Sequence, residues 1–99
     1  MPKDVYNMTS KILVYPGIGG WRFLLLPKKQ GKEIKEKFGT RSKGWGSLPV
    51  SVTVGKSTWN TSIFPDKKFE SYLLPLKAKI RKVENIFDDS TVKFEIKLR

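Results

Sequence analysis

The sequence predicts a small, mainly β domain: a closed or split barrel of about six to seven mostly antiparallel strands with two short helices. Three features of the 99-residue chain lead to this prediction. The middle of the chain has the alternating pattern of a β-hairpin. The last strand alternates in the same way. Two flanking segments each pass from an apolar strand through a proline into a lysine-containing helix, which indicates one domain built around the hairpin.

The central hairpin is predicted by apolar residues at every second position and by a two-residue loop. Gly55 and Lys56 form that loop, and glycine at its first position suits a type II′ turn. Pairing through the loop places Val52 opposite Trp59. The face predicted to be buried carries Leu48, Val50, Val52, Trp59 and Ile63. The face predicted to be polar carries Ser51, Thr53, Thr58, Asn60 and Ser62.

The part of the chain before the hairpin is predicted to hold a tail, two strands and a helix. Residues 1–7 are expected to be a disordered tail, and residues 8–99 a single domain. The predicted elements are a strand over 8–15, a turn over 16–20, a strand over 21–26 and a helix over 28–38. Gly39 suits the C-cap of that helix, whereas Gly31 is expected to weaken it. Trp21 and Trp59 are assigned to the core.

The part after the hairpin is predicted to hold a strand over 72–74, a helix over 76–87 and a strand over 92–98. The apolar stripe of the helix consists of Leu76, Ile80, Val83 and Phe87. Asn85 suits a left-handed conformation near the helix end. In the last strand, apolar residues occupy every second position, which is typical of a strand with one buried face.

Two segments of the chain are similar to each other. Residues 24–27 read Leu-Leu-Leu-Pro and residues 72–75 read Tyr-Leu-Leu-Pro, and each leads into a helix with a central isoleucine. The two prolines are 48 residues apart, whereas Ile34 and Ile80 are 46 apart. This similarity would fit a barrel with approximate internal two-fold symmetry.

The composition excludes several common kinds of catalytic site. The chain contains no cysteine and no histidine, so a Ser-His-Asp triad, a Cys-His pair and a zinc site of the usual ligands are excluded. The glycine-rich residues 16–20 lack the spacing of a nucleotide-binding loop. We therefore expect a non-enzymatic protein without a cofactor or a metal ion.

The charge favours an anionic partner. Twenty basic and nine acidic residues give a formal net charge of +11, which exceeds the roughly 2–8 charges that solubility requires in a small domain. One hypothesis is a nucleic-acid-binding or other polyanion-binding surface, with solubility alone or a solvated helix face as the alternative. Its residues are Lys28, Lys29, Lys32, Lys35, Arg41, Lys43, Lys67 and Lys68, with Trp45 stacking on a base.

A second hypothesis is a barrel that binds a small molecule or a partner protein domain, its charge being incidental. Its groove would be lined by Trp45, Ser47, Thr61, Ser62 and Lys77. Trp45 also has a structural alternative, in which it folds back to close one end of the barrel. The polar face of the hairpin could line a groove, but it could equally be the solvated side of an antiparallel sheet.

The cellular context is expected to be a bacterial cytoplasm. No apolar run has the length that crosses a bilayer, and the first residues lack the apolar segment of a signal peptide. We expect no membrane partner and a monomer, with a dimer as the alternative.

A family resemblance extends from about Thr9 to Leu98. It is carried by Gly20-Trp21-Arg22-Phe23, Leu26-Pro27, Gly44-Trp45-Gly46-Ser47, Pro49-Val50, Trp59-Asn60-Thr61-Ser62, Phe64-Pro65-Asp66, Leu74-Pro75 and Arg81-Lys82. The chain thereby resembles the small bacterial domain-of-unknown-function family number nineteen-oh-five. The resemblance implies a small β-barrel with two helices, related to the split barrels of AbrB-like and antitoxin-like proteins. Some members precede a domain associated with bacteriocin protection.

The resemblance implies no activity and no catalytic residues. The family tends to have glycine where this chain has Asn85, and Gly-Asp where it has Asp89-Ser90. Both departures are compatible with turns and leave the predicted fold unchanged.

Overall fold

The computed structural model describes residues 5–14, 21–41 and 46–99, without the side chain of Arg41. Its strands are β1 (Val5–Val14), β2 (Arg22–Leu25), β3 (Leu48–Val54), β4 (Ser57–Asp66), β5 (Ser71–Pro75) and β6 (Thr91–Leu98). Its helices are α1 (Lys28–Phe38) and α2 (Ala78–Val83). The 3-10 turn Gly39–Arg41 follows α1. Neither helix in these ranges has the length and apolarity needed to cross a membrane.

The six strands form a closed barrel in the order β1-β2-β5-β4-β3-β6, with β6 returning to β1. Every neighbouring pair is antiparallel. The predicted mainly β barrel with two helices is therefore confirmed, and it is closed rather than split. Because the barrel is closed, every strand pairs with a neighbouring strand on each side.

The central hairpin has the predicted register. Val52 lies opposite Trp59, and Leu48 lies opposite Ile63. Gly55 has a φ of +56° while Lys56 stays outside the left-handed region, as a type II′ turn requires. The apolar side chains of β3 are buried and the alternate ones are half-buried. The alternation in the sequence was sufficient here because one face packs on the core and the other does not.

The barrel has a two-fold symmetric connectivity. Each half of the chain runs through two strands, a helix and a third strand. Exchanging β1 with β4, β2 with β5 and β3 with β6 returns the same strand order. At the two contacts between equivalent strands, Leu25 lies opposite Leu73 and Val50 lies opposite Leu98. Both pairs are 48 residues apart, like the prolines that begin the two helical segments.

The first strand begins earlier than predicted. It starts at Val5 instead of residue 8, so three residues expected in the tail are paired with β6. Tyr6 is buried opposite Ile96, which explains the extension: its ring contributes to the core. The predicted turn over 16–20 lies outside the described residues.

The prediction that Trp21 belongs to the core is wrong. The side chain is 63% exposed and stacks on Phe23, with the ring centroids 6.2 Å apart. Leu24 and Leu26 fill the inward positions of this segment, so the alternate residues face outward. Trp59, by contrast, is partly buried and packs against the core, as predicted.

The predicted length of the second helix is wrong. The helix ends at Val83, and Val83 and Phe87 are exposed instead of buried. Asn85 has a φ of +54°, the left-handed conformation that the sequence suggested, and this turn brings Ile86 into the core in place of Phe87. The predicted stripe requires a helix through residue 87, whereas the chain is no longer helical after Val83.

Gly31 brings α1 against the start of β5. A Cβ atom at this position would lie 2.0 Å from Ser71 Oγ and 2.9 Å from Ser71 Cβ. Ser71 is itself buried and donates a hydrogen bond of 2.7 Å from its hydroxyl to the Leu26 carbonyl. The glycine that weakens the isolated helix is thus required for close packing of helix on strand.

We predict that Gly31→Ala lowers the free energy of unfolding by about 1–3 kcal/mol, because overpacking outweighs the gain in helix propensity. Chemical denaturation measures the change. Gly39→Ala is the control, since among the described residues a Cβ there would meet only Lys35 Cγ, at 3.7 Å. Equal stability of the two variants would show that the contact with Ser71 does not constrain the helix.

Candidate functional site

A groove of about 1000 Å³ lies between α1 and the turn that connects β4 to β5. It is bounded by one face of the helix on one side and by the end of β4, the turn and the start of β5 on the other. The lining residues are Lys28, Gly31, Lys32, Lys35, Glu36, Gly39, Gly46, Pro65, Asp66, Lys67, Glu70, Ser71 and Tyr72.

Four of the predicted polyanion-binding lysines line this groove. Lys28, Lys32 and Lys35 occupy positions i, i+4 and i+7 of α1 and therefore share one helix face. Lys67 reaches the groove from the β4–β5 turn. The fold thus brings together basic residues from two separate stretches of the sequence.

Three acidic residues line the same groove, so its charge is mixed. Glu70 pairs with Lys28, with 2.5 Å between Nζ and Oε2, and Asp66 accepts a hydrogen bond from the Phe69 amide at 3.2 Å. The carboxylate of Glu36 is the third. Within the described ranges, no acidic side chain forms an ion pair with Lys32, Lys35 or Lys67. These three cations are therefore available to an external anion.

Gly46 and Tyr72 also line the groove. Gly46 has a φ of +78°, and a Cβ there would lie 3.0 Å from Pro65 Cγ, so glycine holds this wall close to β4. Tyr72 is only 3% exposed, and burial raises the pKa of its phenol. The phenol is therefore protonated at neutral pH and adds no charge to the groove.

The other predicted polyanion contacts lie elsewhere. Lys29 is exposed on α1 but does not line the groove. Lys68 lies 5.5 Å from the centre of the Phe69 ring, in a cation–π contact. Arg41 lies in the 3-10 turn after α1. Lys43 and Trp45 fall outside the described residues.

The described members of the alternative ligand groove, Ser47, Thr61, Ser62 and Lys77, are not brought together on one surface. Thr61 shares the face of Val50 and Ser62 the face of Pro49, so their side chains point to opposite sides of the sheet. Ser47 is half-buried before β3. Lys77 caps α2, beyond the Pro75 end of β5, whereas the groove lies at the other end of that strand.

The sequence did not point to Glu70 and Tyr72 as part of a site. In the sequence, Glu70 is one of several carboxylates in segments typical of turns, and in the structure it lies in the turn before β5. Its φ of +53° and its pairing with Lys28 depend on how α1 packs against that turn. Tyr72 belongs to a segment that the sequence predicts as a strand, and nothing in the sequence indicates a binding role for it. No three acidic side chains of the described segments come together as a metal site.

We predict that Lys28→Gln raises the pKa of Glu70 toward its ordinary value. The hydrogen bond from Lys28, more than its charge, holds that pKa below the usual range. The stability contributed by this depressed pKa is present above the unfolded-state pKa and is lost as the pH falls through the folded one. Carboxyl NMR titration measures the change.

Asp88 provides the internal control for that titration. Its carboxylate accepts two hydrogen bonds from Arg22, at 2.9 and 3.0 Å, which lower its pKa. This pKa should stay depressed in Lys28→Gln. A Glu70 pKa that does not move would show that the ion pair with Lys28 does not form in solution.

Comparison with known families gives one matching family model. A family model described as "Domain of unknown function (DUF1905)" matches residues 9–96, which is most of the chain. No curated protein gives a match. The matched residues include β2 to β5, both helices, the groove and most of β1 and β6. The chain therefore belongs to the DUF1905 family.

Proposed function

We propose that this protein is a non-enzymatic binding module whose α1 groove takes the phosphate backbone of a single-stranded nucleic acid. The observation that carries the proposal is the convergence of Lys28, Lys32, Lys35 and Lys67 on one groove. Three of these cations have no ion-pair partner within the described part of the chain. A row of phosphates would supply the missing negative charge.

Phosphate contacts of this kind bind through counterion release. Each lysine that neutralises a phosphate frees a condensed cation from the nucleic acid, so affinity falls steeply as salt rises. The net charge of +11 adds a long-range attraction that raises the rate of encounter. Both effects are independent of base sequence, so we expect little sequence preference.

The shape of the site favours a single strand. The lysines line a concave groove between a helix and a turn, and single strands bind in positively charged grooves that follow the backbone. A duplex is more often met by an element that protrudes into the major groove. Tyr72 exposes too little of its ring to offer a stacking platform.

A second candidate function is docking of a partner protein domain, as the sequence suggested. One observation favours it: Trp21 and Phe64 are 63% and 42% exposed on the outside of the barrel. Binding through these side chains would persist in high salt, because apolar contacts are not screened. Under either proposal the protein is a cytoplasmic bacterial monomer without catalytic residues or a cofactor.

We predict that the double variant Lys32→Ala/Lys35→Ala weakens binding of a fluorescently labelled oligothymidylate by roughly tenfold or more at about 50 mM salt. The slope of log affinity against log salt should fall by about 1.4, because each lost phosphate contact contributes about 0.7. Fluorescence anisotropy at several salt concentrations gives both quantities.

The matched control is Lys93→Ala/Lys97→Ala, which removes the same charge from exposed positions on β6. In the barrel order β6 lies three strands from β5 in either direction, so it is on the opposite side. Equal weakening by the two double variants would indicate a diffuse charge effect and contradict a binding groove. Affinity for the oligonucleotide that does not depend on salt would contradict phosphate contacts, and no binding at low salt would favour the protein-docking alternative.

A further inference from the structure

We propose that Glu70 is a built-in competitor for the phosphate, occupying Lys28 in the free protein and giving it up when a nucleic acid enters the groove. This inference rests on the function proposed above and names a regulating residue within the same site. It predicts that the free protein holds part of its binding surface in a self-neutralised state.

The first argument is the geometry of the ion pair. Both Glu70 and Lys28 line the groove, and Glu70 Oε2 lies 2.5 Å from Lys28 Nζ. A carboxylate oxygen thus takes a place on the ammonium group that a phosphate oxygen would take. The two side chains are 65% and 71% exposed, so water replaces the lost contact when the pair separates. Exposed ion pairs of this kind are weak, so replacing the Glu70 carboxylate by a phosphate costs little free energy.

The second argument is the backbone conformation of Glu70. Its φ is +53°, and among the described non-glycine residues only Asn85 shares a positive φ. Asparagine adopts this region readily, whereas glutamate does so at a cost in strain. Strained residues concentrate at functional sites, and this one carries a carboxylate at the rim of the groove. A glycine would make the same turn without strain and without the charge.

A matched ion pair on the same helix provides the control. Lys37 and Glu33 pair at 2.9 Å, with 52% and 43% of their side chains exposed, and neither lines the groove. Glu33→Gln and Glu70→Gln each remove one negative charge and free one lysine of α1. They differ in whether that lysine faces the groove.

The experiment compares these two variants by fluorescence anisotropy with a labelled oligothymidylate over a range of salt concentrations. We expect Glu70→Gln to bind about two- to fivefold more tightly than the wild type, the range that breaking an exposed ion pair permits. The slope of log affinity against log salt should stay close to that of the wild type, because Lys28 contacts a phosphate in both complexes. Glu33→Gln should leave the affinity much closer to the wild-type value.

Two further variants test whether the effect of Glu70→Gln requires Lys28 and whether the backbone of Glu70 is strained. In a Lys28→Gln background the effect of Glu70→Gln should disappear, because the competition needs both partners. Glu70→Gly should bind as tightly as Glu70→Gln and also show a higher thermal midpoint, since it removes the backbone strain.

The outcomes separate this inference from the proposed function. Equal effects of Glu70→Gln and Glu33→Gln, or persistence of the Glu70→Gln effect without Lys28, would overturn the competition. The binding groove would still stand if Lys32→Ala/Lys35→Ala abolished wild-type affinity. Failure of the wild type and every variant to bind the oligonucleotide would overturn both. Binding by Glu70→Gln alone would support the competition most strongly.

Discussion

The position of the candidate site depends on the close packing of Gly31 against Ser71. Because Gly31 has no side chain, the backbone of α1 lies directly on the start of β5. Ser71 is fixed there by its hydrogen bond to the Leu26 carbonyl. This contact sets the distance between the lysines of the helix and the β4–β5 turn. A larger residue at position 31 would move the two walls of the groove apart.

The symmetry of the barrel shows which features are scaffold and which belong to the site. The strands and their connections repeat with a two-fold relationship, but the two helices differ, with eleven residues in α1 and six in α2. The hollow beside α2 measures about 320 Å³, against about 1000 Å³ beside α1. The two halves therefore share an architecture, and the longer helix, α1, borders the larger of these two hollows.

Much of the fold could be predicted from the sequence because its signals are local. β3 and β6 each alternate clearly between apolar and polar residues, and their apolar residues are buried accordingly. The end of α2 could not be predicted, because Phe87 continues an apolar stripe that the left-handed Asn85 interrupts. Trp21 was misplaced because aromatic residues usually enter a core, whereas the inward positions here belong to Leu24 and Leu26. The lysines could be identified as candidate binding residues from the sequence. Their convergence on one groove and the pairing of Lys28 with Glu70 could not, because both depend on long-range packing.

The central claim is that the groove beside α1 is an electrostatic binding surface, and a backbone amide NMR titration with an oligothymidylate tests it most directly. The account predicts shifts confined to α1 and to the turn that carries Lys67 and Glu70, and their loss as salt rises. Shifts spread evenly over exposed lysines, including those of β6, would contradict it. So would the absence of any shift at low salt.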